Sequence, residues 1–150
     1  MNRRETLKQS LAVASLLGAT GLFPQYAMAW TKPAFDAKTV ADAVKAYGAG
    51  APVESKDVHL TAPDIAENGA VVPLAASSTL PGVKAILMLV EKNPNALSAK
   101  FDVTDAVEPS FATRVKMGQT SDVYAVAITN DGKAYYSKKE VKVTLGGCGG

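Results

Sequence analysis

The sequence predicts a mainly β protein: a single antiparallel β-sandwich, preceded by a short N-terminal helix and followed by a flexible C-terminal glycine-rich arm. Three observations predict it. From about Asp57 onward apolar residues recur with a period of two, in short runs separated by turn residues. Helical periodicity is confined to the stretch before Pro52. The last five residues, 146–150, place the only cysteine, Cys148, between two pairs of glycines.

In chain order, the first segment is an export signal. Arg3, Arg4 and Lys8 form a basic start, an apolar run of 13 residues extends from Leu11 to Phe23, and Ala27-Met28-Ala29 supplies small residues before a cut. Arg3-Arg4, with Leu7 and Lys8 behind it, resembles the twin-arginine variant, with Thr6 at the position usually taken by phenylalanine. The run is shorter than the roughly 20 residues that span a bilayer. Cleavage is expected before Trp30, giving residues 1–29 as signal, 30–145 as the sandwich domain with its helix, and 146–150 as the arm. A retained helical anchor is the alternative.

The expected helix is capped by Asp36, with Ala37, Val40, Ala41, Val44 and Tyr47 at spacings of three or four and Phe35–Val40 as a hydrophobic staple. Gly48 ends it, and Gly50 and Pro52 keep it from resuming. About three turns are too few to stand alone, so it requires a sheet or partner to pack on. Strands are expected at residues 57–61, 70–76, 83–90, 97–103, 111–117, 122–129 and 134–145. Leu97, Ala99, Phe101 and Val103 alternate with polar residues, as do Phe111, Thr113, Val115 and Met117, which reads as one face in the core and one in water. Residues 83–90 and 123–128 are apolar on both faces and suit central or partner-covered strands. Pro81-Gly82, Asn93-Pro94-Asn95 and Asp131-Gly132 supply turns. Seven short strands so punctuated resemble an immunoglobulin domain.

Charge and chemistry narrow the function classes. Without residues 1–29 the chain has 121 residues with 13 basic and 13 acidic side chains, so it lacks the basic footprint of a nucleic-acid binder. No second apolar span points to a membrane after signal cleavage. His59 is the only histidine, no CxxC repeat exists, and no metal site or cofactor is expected. His59 reads as a structural strand residue, Ser77-Ser78-Thr79 as loop, and the scattered carboxylates offer no acid–base pair. No intrinsic catalytic residue is nominated, and no helix follows the terminal glycines to make a phosphate cradle.

Cys148 remains. An odd cysteine in an exported chain points to an intermolecular bond or to a thiol kept for chemistry. Glycine lacks a Cβ, so Gly146, Gly147, Gly149 and Gly150 make a thin, bendable arm that carries the sulfur about 10–18 Å from the last packed strand. An exposed thiol is only about 3% thiolate at neutral pH. The nearby carboxylate opposes ionisation, so activation must come from a receiving pocket, which suits a substrate-carrying subunit.

The GGCGG end, the twin-arginine signal and the single sandwich together resemble the SoxY family of sulfur carriers. The runs at residues 66–73, 91–94, 113–117 and from Asp131 onward share the family's look. The resemblance implies a periplasmic carrier that is not itself an enzyme, with sulfur attached covalently at Cys148 during thiosulfate oxidation. It also implies a SoxZ-like partner in a heterodimer, and transient encounters with a haem enzyme that loads thiosulfate, a hydrolase that releases sulfate and a sulfane dehydrogenase. Two other readings compete: an exported structural module whose Cys148 forms an intermolecular disulfide, and a carrier activated at its terminal Gly149-Gly150 carboxylate. The second needs ATP and a prominent helix between strands.

Overall fold

The computed structural model describes residues 31–145, so the expected signal, the cut before Trp30 and the arm lie outside the described residues. Two short helices open the described residues, α1 (Lys32–Asp36) and α2 (Val40–Ala46). This corrects the single helix starting at Asp36: Pro33 sits in the first turn of α1, and Asp36 is its last residue. The cap of α2 is Thr39, whose hydroxyl accepts the Asp42 N–H at 3.1 Å. With the cap moved by three residues, Phe35 and Val40 no longer hold staple positions. Gly48 does end α2, at φ 90°: its N–H donates to Lys45 (2.9 Å) and that of Ala49 to Val44 (3.2 Å), the paired bonds of a Schellman motif.

Nine strands follow: β1 (Val53–Glu54), β2 (Val58–Thr61), β3 (Ile65–Ala66), β4 (Val72–Ser78), β5 (Val83–Val90), β6 (Leu97–Asp102), β7 (Ser110–Val115), β8 (Ser121–Thr129) and β9 (Ala134–Val143). The seven longer ones match the seven predicted from alternation. One sheet has the order β2-β4-β7; the other runs β1-β9-β8-β5-β6, with β3 also on β9. Lettered as in an immunoglobulin domain, A, B and E face G, F, C and C′. β1 and β3 are two-residue parallel pairings on β9, too short to carry a period that alternation could reveal. Ser77 and Ser78, expected in a loop, end β4; the Ser78 hydroxyl accepts the Leu80 N–H at 3.2 Å.

Two cores explain the doubly apolar runs. Ile86, Met88, Val123, Ala125 and Val141 fill the space between the sheets, with Val72, Leu74 and Val115 facing them. Leu87, Leu89, Val126 and Ile128 point the other way and are covered by Ala34, Ala43 and Val44 of the helices. β5 and β8 are therefore central in their sheet and covered on both faces from within the chain. β6 departs from its predicted alternation. A register shift opposite Met88 and Leu89 skips Ser98, so Leu97 joins the helix-side core while Ala99 and Phe101 stay in the sandwich. The outer face of β6 is not simply in water either: Lys100, 12% exposed, lies over the Tyr47 ring and pairs with Asp102, which accepts the Tyr47 hydroxyl at 3.1 Å. Burial, and then Asp102, push the Tyr47 phenol up to about 12. Phe101 and Phe111 stack with centroids 4.6 Å apart and close the β6–β7 side.

The β8–β9 hairpin turns at Asp131-Gly132, with Gly132 at φ 80°. Hydrogen bonding by the Thr129 hydroxyl, then by Lys133, lowers the Asp131 carboxyl from 3.8 to about 2. A lowered carboxylate contributes stability above its unfolded value, lost as pH falls through the folded one. An acid titration of melting temperature checks this: wild type and Asp131→Asn should differ above pH 3.8 and converge towards pH 2.

Candidate functional site

The arm leaves the sandwich from β9, which pairs with β8 from Ala134 to Val141. Valines at 141 and 143 face the inter-sheet core, so the strand stays packed to its end. Beyond the ladder it is held on both sides. On one, the Val143 N–H donates to the Thr120 hydroxyl at 2.9 Å. On the other, residues 64–69 run beside it: Lys142 N–H donates to Asp64 O (3.0 Å), Thr144 N–H to Ala66 O (3.1 Å) and Gly69 N–H to Leu145 O (2.7 Å). The Thr144 hydroxyl donates to Glu67 O at 3.1 Å. The Gly69 carbonyl in turn accepts the Met117 N–H at 2.7 Å, tying the root to the end of β7.

The root loop is itself a built turn. Asn68 Oδ1 accepts the Ala70 N–H at 2.9 Å, the local bond that asparagine offers in turns. Around it, Lys139 bridges Asp64 (2.9 Å), which lowers the Asp64 carboxyl, and also donates to Ala62 O at 2.7 Å. Lys138 pairs with Asp122 at 3.0 Å and lies 5.7 Å from the Tyr124 ring centre. Two of the four charged side chains of β9, Lys138 and Lys139, are thus committed to the scaffold.

Cys148, Gly146, Gly147, Gly149 and Gly150 lie outside the described residues. Among the described residues the last anchored carbonyl is that of Leu145, three residues before Cys148, a reach of about 10 Å at full extension. The other sequence candidates stay apart from this root. His59 is exposed on β2, beside Glu54, Lys56 and Ser137. Ser77 pairs in the ladder with His59 and Ser110, and Thr79 donates to Asp57 O, so both have structural work. Among the described residues no group of three or more His, Cys, Asp or Glu could hold a metal ion, and no helix is long and apolar enough to cross a membrane. Residue-by-residue reading missed the part played by residues 64–69 and Thr120. Their bonds to the root are largely made by backbone groups, and Asn68-Gly69 carries only an ordinary turn signal.

Comparisons with known proteins bear on this arrangement. The family model of sulfur oxidation protein SoxY matches residues 43–148, a span that reaches Cys148. No curated protein matches in sequence. Among solved structures, the sulfur carrier protein SoxY from Chlorobium limicola f thiosulfatophilum is 35% identical, with a TM-score of 0.62, over 69% of this chain and 94% of that one. A superoxide reductase (neelaredoxin) from Ignicoccus hospitalis is 16% identical over 57% of this chain and 79% of its own, with a TM-score of 0.51. A putative superoxide reductase from Thermotoga maritima is 11% identical over 61% and 93%, also at 0.51. These two show the shared sandwich fold alone. The family match over most of the chain, together with the 35% identity across the Chlorobium protein, establishes that the chain belongs to the SoxY family.

Proposed function

We propose that this protein is a covalent carrier of sulfur intermediates in thiosulfate oxidation, with Cys148 as the point of attachment. The observation that carries this reading is the family match reaching Cys148, in a chain whose last packed residues fasten the root of a glycine arm. The Chlorobium relative is a sulfur carrier protein.

In the proposed cycle the Cys148 thiolate and thiosulfate are joined with loss of two electrons to a haem-containing partner, giving Cys–S–S–SO3−. Hydrolysis of the terminal S–S bond by a second enzyme adds water, releases sulfate and two protons, and leaves Cys–S–S−. A sulfane dehydrogenase then acts on the remaining sulfur. The carrier supplies attachment and presentation, while ionisation of the thiol is favoured by the pocket that receives it. Covalent tethering keeps each intermediate at high local concentration for the next enzyme. Residues 1–29 serve as a twin-arginine signal to the periplasm, and a SoxZ-like subunit completes the carrier as a heterodimer.

The test is the intact mass of protein isolated without reductant from thiosulfate-grown cells, with the peptide containing Cys148 mapped. Adducts of sulfane or sulfonate mass on Cys148, removed by reductant, are expected. Free thiol or a plain intermolecular disulfide across repeated preparations would overturn the reading in favour of a structural module. Gly147 supplies narrowness next to the sulfur, so Gly147→Val should slow transfer roughly ten- to a hundredfold at each enzyme while the melting temperature stays fixed. Normal turnover in that variant would remove the steric argument.

A further inference from the structure

We infer that residues 64–69 are a clamp that fixes the pivot of the arm at Leu145, with Gly69 and Thr144 as positioning residues for transfer; this rests on the carrier reading of Cys148. The observations are the bonds at the root. β9 ends at Val143, yet the chain stays fastened for two residues more, through both donors of Thr144 and through the Leu145 carbonyl. The Leu145 side chain is 66% exposed, so the backbone, not apolar packing, holds this residue. Gly69 is buried and uses both its backbone groups, one towards the arm and one towards Met117. The clamp is therefore braced against β7 rather than hanging from β9.

The consequence is a set length. From Leu145 to Cys148 the span is three residues, about 10 Å; without the clamp the last hold is Val143 on the Thr120 hydroxyl, and the span becomes five residues, about 17 Å. Lengthening a tether by that much lowers the effective concentration at its tip roughly twofold. A clamped root keeps the sulfur at short range and holds every enzyme to one approach distance.

The test is amide hydrogen exchange by NMR on the full chain, alongside transfer assays. The Gly69 and Thr144 amides should be protected relative to an unstructured peptide of the same sequence. Thr144→Val removes one bond while keeping size, and should lower protection at Gly69 and Thr144 roughly tenfold, leaving the Val126 amide unchanged. Gly69→Pro removes the donor to Leu145 and is the stronger variant if it folds. Deleting Gly146 should slow transfer, and adding Thr144→Val to that deletion should restore part of the rate. The inference is overturned if Gly69 and Thr144 exchange at free-peptide rates in the unaltered chain, or if Thr144→Val rescues nothing. Absence of an adduct on Cys148 would instead defeat the carrier reading and leave the exchange pattern standing.

Discussion

Replacing Cys148 with serine should reduce thiosulfate oxidation to background while leaving the sandwich as stable as before. A serine hydroxyl forms no S–S bond and, at neutral pH, offers no anion comparable to a thiolate, so neither attachment nor release has a route. The substitution lies three residues past the last hydrogen bond that Leu145 makes to the scaffold, and no other cysteine in the chain can take its place. Stability should move by less than about 0.5 kcal/mol, the usual range for surface changes. Two measurements decide it: oxygen uptake on thiosulfate with purified partners, and melting by circular dichroism. Residual carriage by the serine variant would sink the assignment of Cys148.

Leu87→Ala should produce the largest loss of stability, about 2–5 kcal/mol, out of a total near 5–15 kcal/mol for a domain of this kind. Leu87 is fully buried in β5, between Lys100 of β6 and Val126 of β8 in register. Its side chain faces the helices, so truncation empties the cluster that seats Ala34, Ala43 and Val44. The expected fall in melting temperature is roughly 10–20 °C. Val53→Ala, at a residue 60% exposed, is the control and should change little. A loss below about 1 kcal/mol for Leu87→Ala would mean that the helices are not part of the cooperative core.

That helix cover marks where the sequence was legible and where it was not. Strand alternation survives translation into structure because a half-buried strand has only two faces, and β7 shows it: Phe111, Thr113 and Val115 turn inward, Ala112 and Arg114 outward. The same logic failed at Leu97, because one skipped residue reverses a face and nothing in the residues around Ser98 announces the skip. Asp36 and Thr39 are both acceptable caps, and the choice between them depends on Pro33 starting an earlier helix. The apolar residues on both faces of β5 and β8 were legible as central strands, but their cover proved to be α1 and α2. The sequence marks Cys148 as the candidate because it is the only cysteine and stands between glycine pairs, whereas most of the bonding around Thr144 and Leu145 was not legible, because carbonyls and amides are common to every residue.

The orientation of β9 has a mechanical consequence. Ladder hydrogen bonds lie across the strand, so a load applied to the chain beyond Leu145 runs along β9 and strains them together in shear rather than unzipping them one by one. Eight residue pairs with β8 share that load, and the parallel contacts of β1 and β3 brace the opposite edge. On the proposed carrier reading, a sulfur gripped by a partner can thus be pulled free without peeling β9.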